Sequence, residues 1–359
     1  MPIGTTILII PSSLAAEAKQ DAWIAAVTGV GLGLLFVGLF SLVSRLYPSL
    51  SLVQLIEELL GKWLGKAISI TFVFFTLVTA SELLYYVGTF MTTQIMPETP
   101  IQAFNLLFAC VVIMGVRLGI ETLARSAEFL FPWFVLLFLV LVICVSPKME
   151  LKNIQPVLES DFKDILRATA FFIGTFSLPT IVLLMIFPAS VNRPSEAQKA
   201  FFTGTLVGGI ALIIMIAMTI LVLGVDITER QIYPSYALAK KINIANFLQR
   251  IEIVMAGMWF ISIYFKMSCY FYASVVGLAQ TLNVKNYRFL VLPMGVLLVS
   301  LSLIIHPNIV HSIEFNRMTW LSYASTYGLI LPLLLLAASF LRRRGRTISE
   351  EEKGVQEKS

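Results

Sequence analysis

Glu82 and Lys266 are ionisable side chains that each fall deep inside a long apolar stretch. A charge near the centre of a hydrocarbon layer costs at least ~2.5–3.5 kcal/mol even on the lenient insertion scale, so each must face other protein and hold a partner. On an α-helix Glu82 shares a face with Phe75, Val78 and Tyr86, and Lys266 shares one with Trp259, Ile263 and Tyr270. Two readings are open. The two charges can neutralise one another or backbone carbonyls as a structural pair, or they can serve a ligand or an ion.

A second pattern concerns the backbone. Ile3-Gly4-Thr5 precedes Pro11 in the first hydrophobic segment, and Ile173-Gly174-Thr175 precedes Pro179 in the sixth. Glycine and proline free backbone groups that must find a partner in lipid, so such breaks persist where they line a cavity or pack inside protein. If the chain is two five-helix halves, these segments open each half, where inverted-repeat transporters place discontinuous, substrate-binding helices. The alternative is an ordinary kink of the kind Gly and Pro commonly produce. Covalent chemistry finds no support: there is no nucleophile–base arrangement, phosphate loop or metal-ligand spacing, and His306 and His311 fall in an outer loop. No catalytic residue, metal, cofactor or nucleic-acid partner is expected. Cys110, Cys144 and Cys269 are far apart inside apolar runs and suggest neither a disulfide framework nor a metal cluster.

The elements that must position these residues are membrane helices. With 58% hydrophobic and 13% charged residues over 359 positions, and a mean hydropathy of +0.86, there is too little polar surface to cover a soluble globule. The apolar runs are continuous rather than alternating, which selects an all-α polytopic protein over a β-barrel. Full spans are predicted over 22–46, 67–96, 101–116, 127–146, 167–188, 201–224, 251–282, 289–305 and 319–341, after a partial span over 3–16. A cleaved signal peptide at 3–14 is disfavoured by Pro11 and the missing basic leader. Residues 1–341 read as one transmembrane domain, followed by a charged tail over 342–359. An amphipathic helix over 51–64, with Leu52, Leu55, Ile56, Leu59, Leu60, Trp63 and Leu64 on one face, lies either on the inner membrane surface or as a lid under the bundle. The tail bases Arg342, Arg343, Arg344 and Arg346 put the C-terminus in the cytoplasm by the positive-inside rule, and the basic loops around Arg45, Arg117, Arg193 and Lys285 fall on the same side.

From end to end the sequence resembles the B subunits of bacterial spore germinant receptors, within the amino acid, polyamine and organocation transporter superfamily. The resemblance is carried by Gly4 with Pro11 and Gln20-Asp21-Ala22-Trp23-Ile24; by Tyr47-Pro48-Ser49 and Leu60-Gly61-Lys62-Trp63; by Thr99-Pro100-Ile101-Gln102; by Arg125 ahead of Phe131-Pro132; by Gln155-Pro156-Val157-Leu158; and by Arg250 with Glu252 before Trp259. It implies a LeuT-like 5+5 inverted repeat of ten spans, here with the first truncated at its N-terminus, since family members carry a cytoplasmic tail and an inner half-helix before the glycine. It further implies a subunit that binds a small germinant, usually an amino acid, and triggers spore germination beside A-type and C-type subunits in the lipid of the spore inner membrane. Carried over by position, ligand-binding residues are Gly4 and Thr5 on the first helix, Phe75, Val78 and Glu82 on the third, Phe176 and Ser177 at the unwound turn of the sixth, and Lys266 and Tyr270 on the eighth. An unwound segment offers free N–H groups to a carboxylate, while freed carbonyls and Glu82 can take an ammonium. A proton- or sodium-coupled amino acid permease would use the same pocket, and a pure scaffold would use none.

Overall fold

Backbone amides in hydrocarbon must pair within their own segment, and every regular element among the described residues is accordingly a helix. The computed structural model describes residues 2–342 except 188, 192 and 242–250. Arg250 and the tail beyond Arg342, with Arg343, Arg344 and Arg346, lie outside the described residues. In chain order the helices are α1 (Thr6–Ala18), α2 (Ala22–Leu46), α3 (Leu52–Leu60), α4 (Lys62–Phe90), α5 (Ile101–Leu118), α6 (Ile120–Val145) and α7 (Phe162–Phe176). They continue as α8 (Pro194–Leu223), α9 (Val225–Arg230), α10 (Pro234–Lys240), α11 (Glu252–Thr281), α12 (Arg288–Ile304), α13 (Ile309–Phe315) and α14 (Leu321–Ser325). Tight helical turns extend α7 over Leu178–Met185, and α13 and α14 are parts of one helical stretch, Ile309–Arg342.

Eight helical stretches among the described residues are long and apolar enough to cross a bilayer, against the ten spans predicted. One of them, Thr6–Leu46, joins α1 to α2 across 41 residues, which as a straight rod would be about 60 Å long, twice the hydrocarbon thickness. Lys19, at φ 46°, interrupts the rod. The apolar helix α12 has 17 residues, just short of a full crossing.

Several boundaries differ from the sequence reading, each for a local reason. Helix α6 starts at Ile120 rather than 127, because Glu121 and Arg125 pair at 2.7 Å one turn apart and keep that polar turn helical. The last span starts at Ile309 rather than 319: the Asn308 side chain caps it by accepting from the His311 amide at 2.9 Å. The helix predicted over 51–64 ends at Leu60, where Gly61 adopts φ 84°, and Trp63 and Leu64 belong to α4, with Trp63 89% exposed. The apolar face of α3 is buried against protein, which makes it a lid under the bundle; a Cβ at Gly65 of α4 would lie 2.6 Å from the Glu57 backbone. The predicted outer segment 225–250 contains α9 and α10. Large apolar side chains on α5, α6 and α12, among them Leu107, Phe129, Ile143, Phe289 and Val296, point outward from the bundle, as they do on helices that cross a bilayer.

The loop that leads into α7 is tied to the α1–α2 corner. The buried Asp21 carboxylate accepts from the amides of Leu158 (2.8 Å) and Ser160 (3.0 Å), and the Gln20 amide donates to the Pro156 carbonyl (3.1 Å) and to Glu159 (2.7 Å). Ser160 Oγ donates to the Ala18 carbonyl, closing the corner. We expect Asp21→Ala to lower the thermal unfolding midpoint of the protein in nanodiscs by a few degrees, because each stranded amide costs about 1–3 kcal/mol. Asp21→Asn, which keeps one acceptor, should lose about half as much; a wild-type midpoint in Asp21→Ala would show that this corner is not held by the carboxylate.

Candidate functional site

The two helices that carry the intramembrane charges, α4 and α11, share the most extensive helix–helix contact in the fold. Lys266 and Glu82 are both buried, and Trp259, Ile263 and Tyr270 on the Lys266 face are sealed as well. Lys266 lays its stem across Gly4, whose φ of +31° is one that L side chains rarely adopt; a Cβ there would overlap Lys266 Cδ and lie 3.3 Å from its Cβ and Cγ. The Lys266 ammonium donates to Thr5 Oγ1 at 3.4 Å, at the start of α1. No ion pair within 4.0 Å joins Lys266 to Glu82 among the described residues, although the Glu82 charge acts on Lys266. Of the two readings of these charges, direct neutralisation as a contact pair is therefore not what the structure contains.

Glu82 instead accepts one hydrogen bond, from Tyr86, with His306 standing beyond hydrogen-bond distance. Its side chain is 5% exposed; Tyr86 Oη donates to Glu82 Oε1 at 3.3 Å, and His306 Nε2, 1% exposed, stands 3.8 Å from the same oxygen. Because the single phenolic proton goes to Glu82, Tyr86 accepts from Ser312 Oγ at 3.0 Å and from Asn316 Nδ2. The sequence reading put His306 in an outer loop and missed it; the structure buries it against Tyr85 at 5.0 Å between ring centroids. Asn308, a helix-capping residue type ahead of Ile309 and Val310, was the signal that could have turned that loop into a helix.

The breaks differ from one another. Helix α1 runs straight through Pro11, and the Ile7 carbonyl that a non-proline amide there would have satisfied accepts from Ser235 Oγ of α10 at 2.6 Å. The irregularity of the first segment is therefore at Gly4, not at Pro11. In the sixth segment Gly174 is inside α7, against Leu321, and the helix ends at Phe176. Carbonyls near that end accept from three other helices: Gly174 from Trp320 Nε1 (2.9 Å), Pro179 from Tyr270 Oη (2.9 Å) and Thr175 from Thr6 Oγ1 (3.3 Å), a hydroxyl whose one proton is shared with the nearer Pro2 carbonyl (2.9 Å).

Gly4, Thr5, Lys266 and Tyr270 thus gather where α1, α11 and the end of α7 meet, with Glu82 within electrostatic reach. Phe176 and Ser177 turn the other way, toward Gly33 of α2, with the Phe176 ring also against Gly209 of α8. Phe75 stacks on Tyr327 at 4.4 Å, and Val78 is half-buried at the margin of the face that seals Phe75 and Glu82. A cavity of about 50 Å³ adjoins the cluster, lined by Thr5, Thr6, Tyr86, Thr175 and Asn316, and a second of about 110 Å³ lies beside Tyr86, Tyr233, Ser312 and Arg317. A larger, mainly apolar cavity of about 560 Å³ lies among α6, α8 and α11 and reaches Pro2 and Ile3, just before Gly4, and Phe265, next to Lys266. Among the described residues no group of three or more His, Cys, Asp or Glu side chains is placed to hold a metal ion.

This arrangement is that of an all-α polytopic membrane protein with a transporter-type fold of the LeuT kind. The structure of Mhp1, a nucleobase-cation-symport-1 family transporter, in a closed conformation with bromovinylhydantoin bound, superposes on it with a TM-score of 0.64, covering 92% of this chain and 76% of that one at 12% identity. The chain belongs to the family described as Spore germination protein, whose profile matches residues 1–310. Spore germination protein KB of Bacillus subtilis (strain 168) is 30% identical over 98% of this chain and 94% of its own length, and GerLB of Bacillus cereus is 25% identical over 95% and 91%. Family and fold alike are those of non-catalytic proteins.

The contact of Gly4 with Lys266 makes a prediction. Gly4→Ala should destabilise the protein, through its φ by roughly 1 kcal/mol and through overlap with Lys266 Cδ. A double-mutant cycle with Lys266→Ala, read by unfolding in nanodiscs, should show a coupling of about 0.5–3 kcal/mol; additive effects would mean that the two side chains do not oppose one another.

Proposed function

We propose that this chain binds a small amino-acid-like solute where α1, α11 and the end of α7 meet, and exposes that site alternately to the two sides of the membrane in the service of spore germination. The observation that carries the reading is the Lys266 ammonium lying across Gly4, beside Thr5, with the buried Glu82 near enough to act on it. A zwitterion is complementary to such a pair. Its carboxylate takes the ammonium of Lys266 and the amides at the start of α1, and its own ammonium takes Glu82 and carbonyls released at the end of α7. The adjoining cavity of about 50 Å³ is small for an amino acid, so binding requires the α7 end to move.

Within this proposal the ligand-binding residues are Gly4, Thr5, Glu82, Lys266 and Tyr270, with Phe75 and Val78 flanking; Phe176 and Ser177 act by shaping the α7 turn. The fold likeness to a cation symporter supports an ion-coupled amino acid permease more directly than a receptor that binds without translocating, which rests on the family description. Ten crossings follow if Thr6–Leu46 is divided at Lys19 and α12 counts as one, as in a 5+5 repeat. The chain then works in the spore inner membrane with its C-terminus in the cytoplasm, alongside A-type and C-type subunits.

Saturable, gradient-driven uptake of a radiolabelled amino acid by proteoliposomes of the full chain is the expected result, and Lys266→Met should raise the half-saturating concentration about 10- to 100-fold, the equivalent of a charged hydrogen bond of ~1.5–3 kcal/mol. Equilibrium binding without uptake would favour the receptor. Neither binding nor uptake across the twenty amino acids would remove the zwitterion reading.

A further inference from the structure

The proton, rather than sodium, is the ion the geometry points to: we infer that His311, His306 and Glu82 form a relay that carries a proton from the aqueous end of α13 to the carboxylate beside the solute site. This names the ion of the coupled reading and rests on that reading for its purpose, but not for its chemistry.

Three observations align. His311 is exposed, while His306 and Glu82 are sealed. The two imidazoles approach Nδ1 to Nδ1 at 3.0 Å, a distance at which one nitrogen carries a proton and the other a lone pair. The remaining nitrogen of His306, Nε2, has no hydrogen-bond partner although buried, and it points at Glu82 Oε1 from 3.8 Å. A buried imidazole nitrogen without a partner is costly, and a modest rotation or one bridging water brings it to the carboxylate.

The proton count closes. With His311 protonated on Nδ1 and His306 on Nε2, a proton from water binds His311 Nε2. The Nδ1 proton of His311 passes to His306 Nδ1, and the Nε2 proton of His306 passes to Glu82. Glu82 becomes neutral, both imidazoles remain neutral with exchanged tautomers, and return of the proton by the same route restores them.

The other ionisable groups around the relay do not compete with it. Tyr85 and Tyr86 on α4, Tyr270 on α11 and Tyr323 on the last span are phenols, as is Tyr233, and phenol ionisation ordinarily lies well above the imidazole range. Glu314, on the helix of His311, is exposed, and Glu229, Arg230 and Arg317 line the adjoining cavity. Lys266 is the remaining charge. While Glu82 is ionised it is the anion that the proposed site offers to a solute ammonium; once protonated it no longer is, so the proton and the solute ammonium compete for the same carboxylate and are coupled in opposite directions.

The test is rapid-mixing infrared spectroscopy of the full chain in nanodiscs, without solute, after a jump from about pH 8 to about pH 5, a span that brackets imidazole titration. The expected signal is a carboxylic acid C=O band that Glu82→Gln removes. In His306→Asn and in His311→Asn the band should form roughly tenfold more slowly or worse. His311 is exposed, so its variant keeps the relay testable should the buried one fail to fold. Absence of a Glu82 band, or its formation at the wild-type rate in His311→Asn, overturns the relay. Because no solute is present, that failure would leave the zwitterion site standing, and failed uptake would leave the relay standing.

Discussion

The end of α7 inside the bilayer is the constraint on which the rest of the site depends. Where α-helical pairing gives way to the tighter turns of Leu178–Met185, carbonyls lose their α-helical partners inside a predicted span, and each must be met by protein. Here the donors come from three separate helices: Thr6 from α1, Tyr270 from α11 and Trp320 from the last span. These bonds fix where the three helices stand relative to the break, and so fix where Lys266, one turn before Tyr270, meets Gly4. The tie at the opposite edge of the same segment, Asp21 on the amides of Leu158 and Ser160, holds the loop that leads into α7. A break that looks like a local weakness is the point where the first and second halves of the chain are joined.

The charges follow from the same geometry. Glu82 and Lys266 are not in contact, so neither is neutralised outright, yet each has polar neighbours that keep its burial tolerable: Tyr86 for the carboxylate and Thr5 for the ammonium. A contact pair would be more stable and functionally inert. Two buried charges held apart, each with one weak hydrogen-bond partner, are what the proposed zwitterion site and proton relay build on.

Much of this was legible in sequence. Hydropathy alone marks α2, α5, α11 and α12 to within about two residues, because uninterrupted apolar runs end at clear polar boundaries. It also marks Glu82 and Lys266, since an intramembrane charge has few explanations. Three things were not legible. His306 was hidden because the turn from Asn308 to Phe315 is too polar for a hydropathy window, though it is helical through its cap. Phe176 and Ser177 could not be aimed from periodicity, because the face of α7 that Phe172 and Phe176 share meets Gly29 and Gly33 of α2, a partner helix that spacing within α7 does not name. Pro11 looked like a break because the cap that tolerates it, Ser235, lies far along the chain. For Pro11 and for Phe176 and Ser177 the deciding partner is distant in sequence; for His306 it is the local cap at Asn308.

The bonds that seal the α7 end are also the ones that movement would have to exchange. A neutral hydrogen bond of this kind contributes about 0.5–1.5 kcal/mol net, so releasing the carbonyls of Gly174, Thr175 and Pro179 is within what a bound solute can offset by taking their place. The ammonium of a zwitterion is a stronger donor than a hydroxyl or an indole, and it needs only one or two of these acceptors. Tyr270 and Thr6, once displaced, sit on α11 and α1 beside Lys266 and Thr5, where a solute carboxylate needs donors. The same side chains that close the break without solute can therefore line the site with it. An exchange of this kind is what the alternating access proposed above would require.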